Sequence, residues 1–143
     1  GTDILIMGRT DANHTRGLEE AIYRGQQYQE IGADIIFIEA PKTVEEMETI
    51  CREVPGCHMA NIVEGGLTPN LAMEQLRDVG FQFAAYPLTL LAASMQAMKT
   101  TLELMRDDLP RADKLMDFAE LRDRIGFNTY YETSQVYETS RRP

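Results

Sequence analysis

The sequence predicts an α/β fold built from strand–helix units, half of an eight-stranded parallel barrel, on three observations. Apolar runs without polar alternation, such as Ile4-Leu-Ile-Met7 and Ile35-Ile-Phe-Ile38, suit parallel strands covered on both faces. Each run is followed by apolar residues at helical spacing. Four such units recur about every 23 to 31 residues, near the roughly 31 residues per unit expected when about 250 residues make eight units. An open doubly wound sheet also uses such units, but it carries a glycine-rich phosphate loop after its first strand. Thr10-Asp-Ala-Asn-His-Thr-Arg-Gly17 is a different kind of loop.

The first strand, Ile4 to Asp11, is an apolar run ending in Arg9 and Asp11, and it reads as buried with a polar tip. A helix over Gly17–Ile31 follows, with Leu18, Ala21, Ile22, Gly25 and Tyr28 on one face, a Glu20/Arg24 pair, and Gly32 as its stop. The second strand, Asp34 to Glu39, is halted by Pro41. Thr43 and Glu46 have capping-box spacing ahead of a helix faced by Val44, Met47, Ile50, Cys51 and Val54, and Pro55-Gly56 ends it.

His58 to Glu64 is the third strand, with Asn61 inside it and Gly65-Gly66 turning the chain. Thr68-Pro69 predicts the start of the next helix, packed by Leu71, Ala72 and Leu76 and closed by Gly80. The fourth strand runs from Phe81 towards Thr89. The helix from Leu90 to Arg106 carries Leu91, Met95, Met98, Leu102 and Met105 as expected core filler. Residues 1–106 thus make the four units, and 107–143 a helical tail. In the tail, Asp117 and Glu120 repeat the capping-box spacing, Leu121 and Ile125 form an apolar face, and Gly126 ends a short helix. Tyr130, Tyr131, Val136 and Tyr137 suggest a last aromatic helix that docks on another surface, in this chain or a partner.

A length of 143 residues with 43% hydrophobic content fits one domain core or part of one. The sequence opens Gly1-Thr2-Asp3 and enters a strand almost at once, so a longer parent chain is expected. The net charge of −9, from 23 acidic and 14 basic residues, argues against nucleic acid as a partner, with Arg141-Arg142 the one basic cluster. No apolar run approaches the roughly 18 residues of a membrane helix. A soluble protein of the cytoplasm or an organelle matrix is expected, any targeting peptide lying upstream. Cys51 and Cys57 lack metal-ligand spacing and read as reduced thiols.

Both barrels and open sheets place chemistry at the carboxyl ends of their strands. That sorts Arg9, Asp11, Glu39, Asn61, Glu64 and Thr89 into the candidate site, and Asp3, Asp34 and His58 to the opposite end. Arg9 serves either as a structural ion pair or as a fork for a substrate anion, and the second use is favoured. Asp11 suits an orienter of Arg9 or of a loop amide. Glu39 suits equally a pair with Arg9 or the holding of a metal-bound water. Asn61 needs partners for its amide, either substrate oxygens or backbone. Glu64 serves the site or the turn beside it, the turn being favoured. Thr89 donates to a carboxylate or caps the following helix. His14 reads as solvated surface.

The segments Gly8-Arg-Thr-Asp-Ala12, Ala33-Asp-Ile-Ile-Phe-Ile-Glu-Ala-Pro41, Ala60-Asn-Ile-Val-Glu-Gly-Gly66 and Tyr86-Pro-Leu-Thr89, in this order and at strand ends, resemble the isocitrate lyase and phosphoenolpyruvate mutase superfamily. Tyr86 to Ala93 and Ile125 to Tyr131 are most similar to its carboxyvinyl-carboxyphosphonate phosphorylmutase-like members, relatives of the enzymes that cleave 2-methylisocitrate, dimethylmalate and oxaloacetate. The resemblance implies the C-terminal half of a TIM barrel, strands five to eight, with extra C-terminal helices that pack members into homotetramers, dimers of dimers. It implies a Mg2+-dependent carbon–carbon lyase acting through an enolate-type oxyanion. Arg9 and Glu39 would be catalytic, Arg9, Glu39, Asn61 and Thr89 would contact the substrate, and Asp11 and Glu64 would support them.

The family's magnesium-binding aspartates and mobile catalytic loop belong to the first half of the barrel, so the resemblance places no metal ligand in this chain and implies that the fragment alone is inactive. Ala92 stands where methylisocitrate lyases carry an arginine. A smaller 2-hydroxy or 2-oxo diacid, or a phosphonate, is therefore the expected substrate. Phosphonate P–C chemistry and a non-catalytic half-barrel that binds small acids or a partner are the alternatives.

Overall fold

The computed structural model describes residues 3–139. Arg141 and Arg142, the basic pair noted above, lie outside them. The chain divides after Ala93 into two compact units.

In the first unit, four parallel strands form one sheet in the order β1 (Met7–Thr10), β2 (Ile35–Ile38), β3 (Cys57–Asn61), β4 (Phe81–Ala85). Between them run α1 (Ala12–Thr15), α2 (Leu18–Glu30), α3 (Val44–Glu53) and α4 (Met73–Val79). Side chains alternate across a strand, so one face of the sheet meets the helices and the other carries the intervening residues. On the helix side, Ile36 and Ile38 pack with Ala12, Ala21, Ile22, Ile50 and Val54. Beside them, Ala60, Ile62 and Phe81 pack with Met47 and Leu76. These twelve residues, excluded from water at about 25 cal/mol per Å2 of apolar surface, dominate what holds the unit together.

Helix α2 has the bounds its pattern predicts, with Ala21, Ile22 and Gly25 buried and Leu18 and Tyr28 packed at the edge of the core. Gly32 takes the left-handed conformation (φ 91°) that ends it. Gly8 is needed for a different reason: a Cβ there would lie 2.7–2.9 Å from the Tyr28 side chain, whose hydroxyl donates to the Arg9 carbonyl at 3.1 Å.

Three expectations for the chain before Thr89 need correction. Ile4, Leu5 and Ile6 are not a buried strand: β1 begins at Met7, and these three side chains are 61–75% exposed. Sheet order explains it, since β1 is an edge and a covering layer on its outer side is not supplied by the described residues. The helix predicted from Thr68-Pro69 starts at Met73, because Gln75 Oε1 accepts from the Ala72 amide at 2.9 Å and so fixes the first turn there. Third, the Thr43/Glu46 capping box is half made. Thr43 Oγ1 accepts from the Glu46 amide at 3.2 Å, but the Glu46 carboxylate accepts from the amide of Lys42, one residue earlier, at 2.7 Å.

Helix α5 (Thr89–Arg106) follows β4. Met95, Met98, Leu102 and Met105 are more than half exposed, so they are surface among the described residues rather than core filler. With Lys99, Glu103 and Arg106, three of them (Met95, Met98 and Leu102) line an open groove of about 440 Å3. The second unit also holds a 3-10 turn (Ala112–Lys114), α6 (Phe118–Arg124) and α7 (Phe127–Thr139). Asp117 caps α6, accepting from the amides of Ala119 and Glu120 at 2.9 and 3.2 Å. Phe127 stacks on Tyr131, which also receives Tyr130 edge-on, yet all three rings stay exposed. Cys51 and Cys57 are free thiols. Among the described residues, no helix is long and apolar enough to cross a membrane.

Candidate active site

Arg9 and Phe37 are paired in the β1–β2 register, and the guanidinium carbon lies 4.8 Å from the Phe37 ring centroid. The cation therefore sits over an aromatic ring, with its N–H groups available to carboxylates. Nε and one terminal nitrogen donate to the two oxygens of Asp11 at 3.2 and 2.9 Å, a two-point fork. That same nitrogen lies 3.2 Å from Glu39 Oε2 at the end of β2. Glu39 in turn accepts from Asn61 Nδ2, at 3.3 and 3.4 Å to its two oxygens, at the end of β3. Four of the six candidate residues are thus one connected cluster across the carboxyl ends of three adjacent strands.

Glu64 and Thr89 form a pair of their own. The Thr89 hydroxyl donates to both Glu64 oxygens at 2.8 and 2.9 Å, tying the loop after β3 to the first residue of α5. Donation to a carboxylate, one of the two uses foreseen for Thr89, is realised. His14 is exposed at the end of α1.

The charges are balanced by contact rather than burial. The hydrogen bond from Arg9 holds the Asp11 carboxyl below its ordinary range, and the same bond raises Arg9 above its own, in both cases against a smaller effect of desolvation. Arg9 and Asp11 are 52% and 59% exposed, whereas Glu39 is 21% exposed. At that exposure, the ion pairs are worth about 0–1 kcal/mol each to stability. Their consequence is position: Arg9 is a solvent-accessible cation held in a fixed plane, with Asn61 as a neutral donor behind Glu39. An incoming anion competes with Glu39 for one corner of the guanidinium and finds it already oriented.

Two residues outside the candidate list shape this end of the sheet. Asn13, 3% exposed in α1, donates through Nδ2 to the Ala40 carbonyl at 2.8 Å and to Glu46 Oε2 at 3.2 Å. Ala40, next to Glu39, has φ 58°, in the left-handed region that costs a non-glycine residue free energy. A single asparagine in a polar loop carries no periodicity or spacing signal.

Among the described residues, no group of three or more His, Cys, Asp or Glu side chains is placed to hold a metal ion. The Asp11 and Glu39 carboxylates are occupied by Arg9 and Asn61, so this donor set does not fit a magnesium ion by itself.

Comparison with known proteins gives a consistent picture. The family model described as phosphoenolpyruvate phosphomutase matches residues 1–106. The chain is 39% identical over 142 residues to 2,3-dimethylmalate lyase of Eubacterium barkeri, covering 97% of this chain and 49% of that protein. It is 40% identical over 131 residues to 2-methylisocitrate lyase of Aeropyrum pernix, covering 90% and 42%. A crystal structure of 2,3-dimethylmalate lyase superposes with a TM-score of 0.82 at 29% identity over 96% of this chain and 49% of that one. A structure of oxaloacetate acetylhydrolase with its product oxalate superposes with a TM-score of 0.82 at 25% identity, covering 94% and 47%. The chain spans about half the length of the curated relatives it matches. Its four-stranded parallel sheet matches about half of the chain of these TIM-barrel enzymes.

Proposed function

This chain belongs to the phosphoenolpyruvate phosphomutase family, within the isocitrate lyase superfamily, and from that premise we propose that it forms part of a lyase cleaving a C–C bond of a 2-hydroxy or 2-oxo dicarboxylic acid. The observation that carries the reading is the Arg9–Glu39–Asn61 cluster at the carboxyl ends of three parallel strands. Cleavage next to a carboxylate leaves an enolate-type oxyanion. A preoriented guanidinium and a side-chain amide are suited to hold such charge where it develops. Arg9 receives a carboxylate or the oxyanion on its open edge. Glu39 keeps Arg9 and Asn61 aligned when the site is empty and gives way to the anion. Asp11 fixes the rotation of the guanidinium. Thr89 and Glu64 fix the start of α5 at the rim.

Mg2+ is part of the proposal for the complete enzyme, where it would withdraw charge from the same oxyanion. Its direct ligands would come from outside this chain, and the residues described act without contacting it. The proposal also assigns residues 107–143 to a homotetramer of paired dimers. The support is the exposed aromatic surface of Phe127, Tyr130, Tyr131 and Tyr137.

A second reading, phosphonate P–C chemistry, is favoured by the description of the matching family model. The two are separated by assaying the complete enzyme against oxaloacetate, alkylmalates and phosphonopyruvate, with Mg2+ supplied. Turnover of a diacid is expected. Turnover of phosphonopyruvate alone would replace the lyase assignment by the phosphonate one.

A further inference from the structure

One nearly fully buried polar side chain at the carboxyl end of the sheet, Asn13, lies outside the Arg9 cluster. Its Nδ2 spends both protons on the segment that follows β2: one on the Ala40 carbonyl at 2.8 Å, the other on Glu46 Oε2 at 3.2 Å. The same Glu46 oxygen accepts from the Lys42 amide at 2.7 Å. Residues 40 and 42 are therefore held from both ends by one asparagine–glutamate bridge. Between them the chain makes an unfavourable choice. Ala40 stands at φ 58° although it has a Cβ, a conformation retained only where the surroundings over-determine it. Glu39, the residue immediately before, is the one that reaches Arg9 at 3.2 Å and Asn61 at 3.3 Å.

We propose that Asn13 is a positioning residue of the site: by bridging Ala40 and Glu46 it fixes the left-handed turn at Ala40 and so sets where the Glu39 carboxylate meets Arg9. The bridge requires a donor with two protons on one nitrogen at this reach. Aspartate has the same shape and no such donor, and it would set a carboxylate against both an oxygen of Glu46 and a carbonyl. This role deepens the lyase reading, resting on it only for the consequence in catalysis, since the geometry of Arg9 can be read without any reaction.

The test uses the full chain with Asn13→Ala and Asn13→Asp, following the Arg9 side-chain Nε–Hε resonance by NMR alongside thermal unfolding. Loss of packing alone would lower the melting temperature and leave that resonance in place. A displaced Arg9 resonance in both variants is expected, largest for Asp. If Asn13→Ala leaves the chain unfolded, the double variant Asn13→Ala/Ala40→Gly is used, because glycine adopts the positive φ without a steric cost. There the fold is expected to return with the Arg9 resonance restored towards its original position. An unmoved resonance in folded Asn13→Ala overturns the proposal, as does a double variant that fails to recover it. In the complete enzyme, Asn13→Ala is expected to lower kcat/KM about 10- to 100-fold, the scale of a misplacement near 1 Å. A displaced resonance together with an unsubstituted enzyme that turns over no diacid would leave the positioning role standing and sink the lyase assignment. The opposite pair of results would do the reverse.

Discussion

Arg9 and Glu39 stand 3.2 Å apart at the carboxyl ends of neighbouring parallel strands, with Arg9 lying over Phe37, two residues before Glu39 on β2. The ring belongs to β2 and the carboxylate to the residue just after it, so the position and one corner of the guanidinium are set by the same three-residue segment, 37–39. In the complete enzyme, Arg9→Ala is expected to cut turnover by about 10²–10³-fold, the size of a lost oxyanion donor. Thermal stability should change little, because the pair is half exposed. Arg9→Lys should recover little of the rate, since an ammonium over Phe37 cannot make the two-point fork to Asp11. Steady-state kinetics beside a melting curve checks all three statements, and unchanged kinetics in Arg9→Ala would remove Arg9 from the site.

Gly8→Ala is expected to destabilise the first unit by about 1–3 kcal/mol, the usual cost of overpacking. The added methyl would meet the Cβ, Cγ and Cδ2 of Tyr28, and a ring anchored through its own Cβ cannot swing clear without losing the bond from its hydroxyl to the Arg9 carbonyl. Urea unfolding measures the cost. Tyr28→Ala in the same background should make Gly8→Ala nearly silent, because the clash would have no second party.

His58 predicts a pH dependence of stability. Burial pushes its pKa below the ordinary value near 6.5, against a smaller opposing effect of the contact between its Nε2 and the Val54 carbonyl at 2.7 Å. The unfolded chain then takes up a proton at a pH where the folded chain does not. This contribution to stability is whole above about pH 6.5 and is lost as pH falls through the lower, folded value. Unfolding free energies measured between pH 8 and pH 5 should fall with acidification, and His58→Gln should flatten that part of the curve. A slope unaffected by the substitution would assign the acid sensitivity elsewhere.

The Cys51 thiol is pushed up to about 12 by burial. Reaction with a thiol-specific disulfide reagent at pH 8 should be slow at Cys51 in the folded chain and become rapid on addition of denaturant, because the thiolate is the reactive species. Peptide mapping after brief labelling reads this directly. Rapid native labelling of Cys51 would show that α3 opens more readily than its packing suggests.

Much of this molecule was legible because its signals are local. Helix α2 announces itself through five apolar positions and a glycine stop, and the order of four strands follows from the recurrence of strand–helix units. The carboxyl-end rule then picked out Arg9, Asp11, Glu39 and Asn61, which the fold does bring into one hydrogen-bonded cluster. What stayed hidden depends on neighbours. An apolar run such as Ile4-Leu-Ile6 looks the same whether or not a layer lies over it, and only the position of β1 at the sheet edge decides its exposure. The methionines of α5 pose the same problem. Asn13 and Ala40 were invisible for another reason: one is an unpatterned polar residue, and the other owes its conformation to a contact 27 positions away in the chain.

The order β1-β2-β3-β4 also has a kinetic meaning. Met7 pairs with Ile35, Ile35 with Cys57, and His58 with Phe81, so each strand waits only for the next strand–helix unit to close a loop of modest length. Closure entropy of such loops grows slowly and is met one unit at a time, in contrast to a sheet whose neighbours are distant in sequence. Assembly can therefore proceed in the direction of synthesis, each emerging strand finding an edge already formed. Delaying one unit, for example by slowing the stretch that encodes α3, should hold back β3 and β4 together while β1 and β2 pair on schedule.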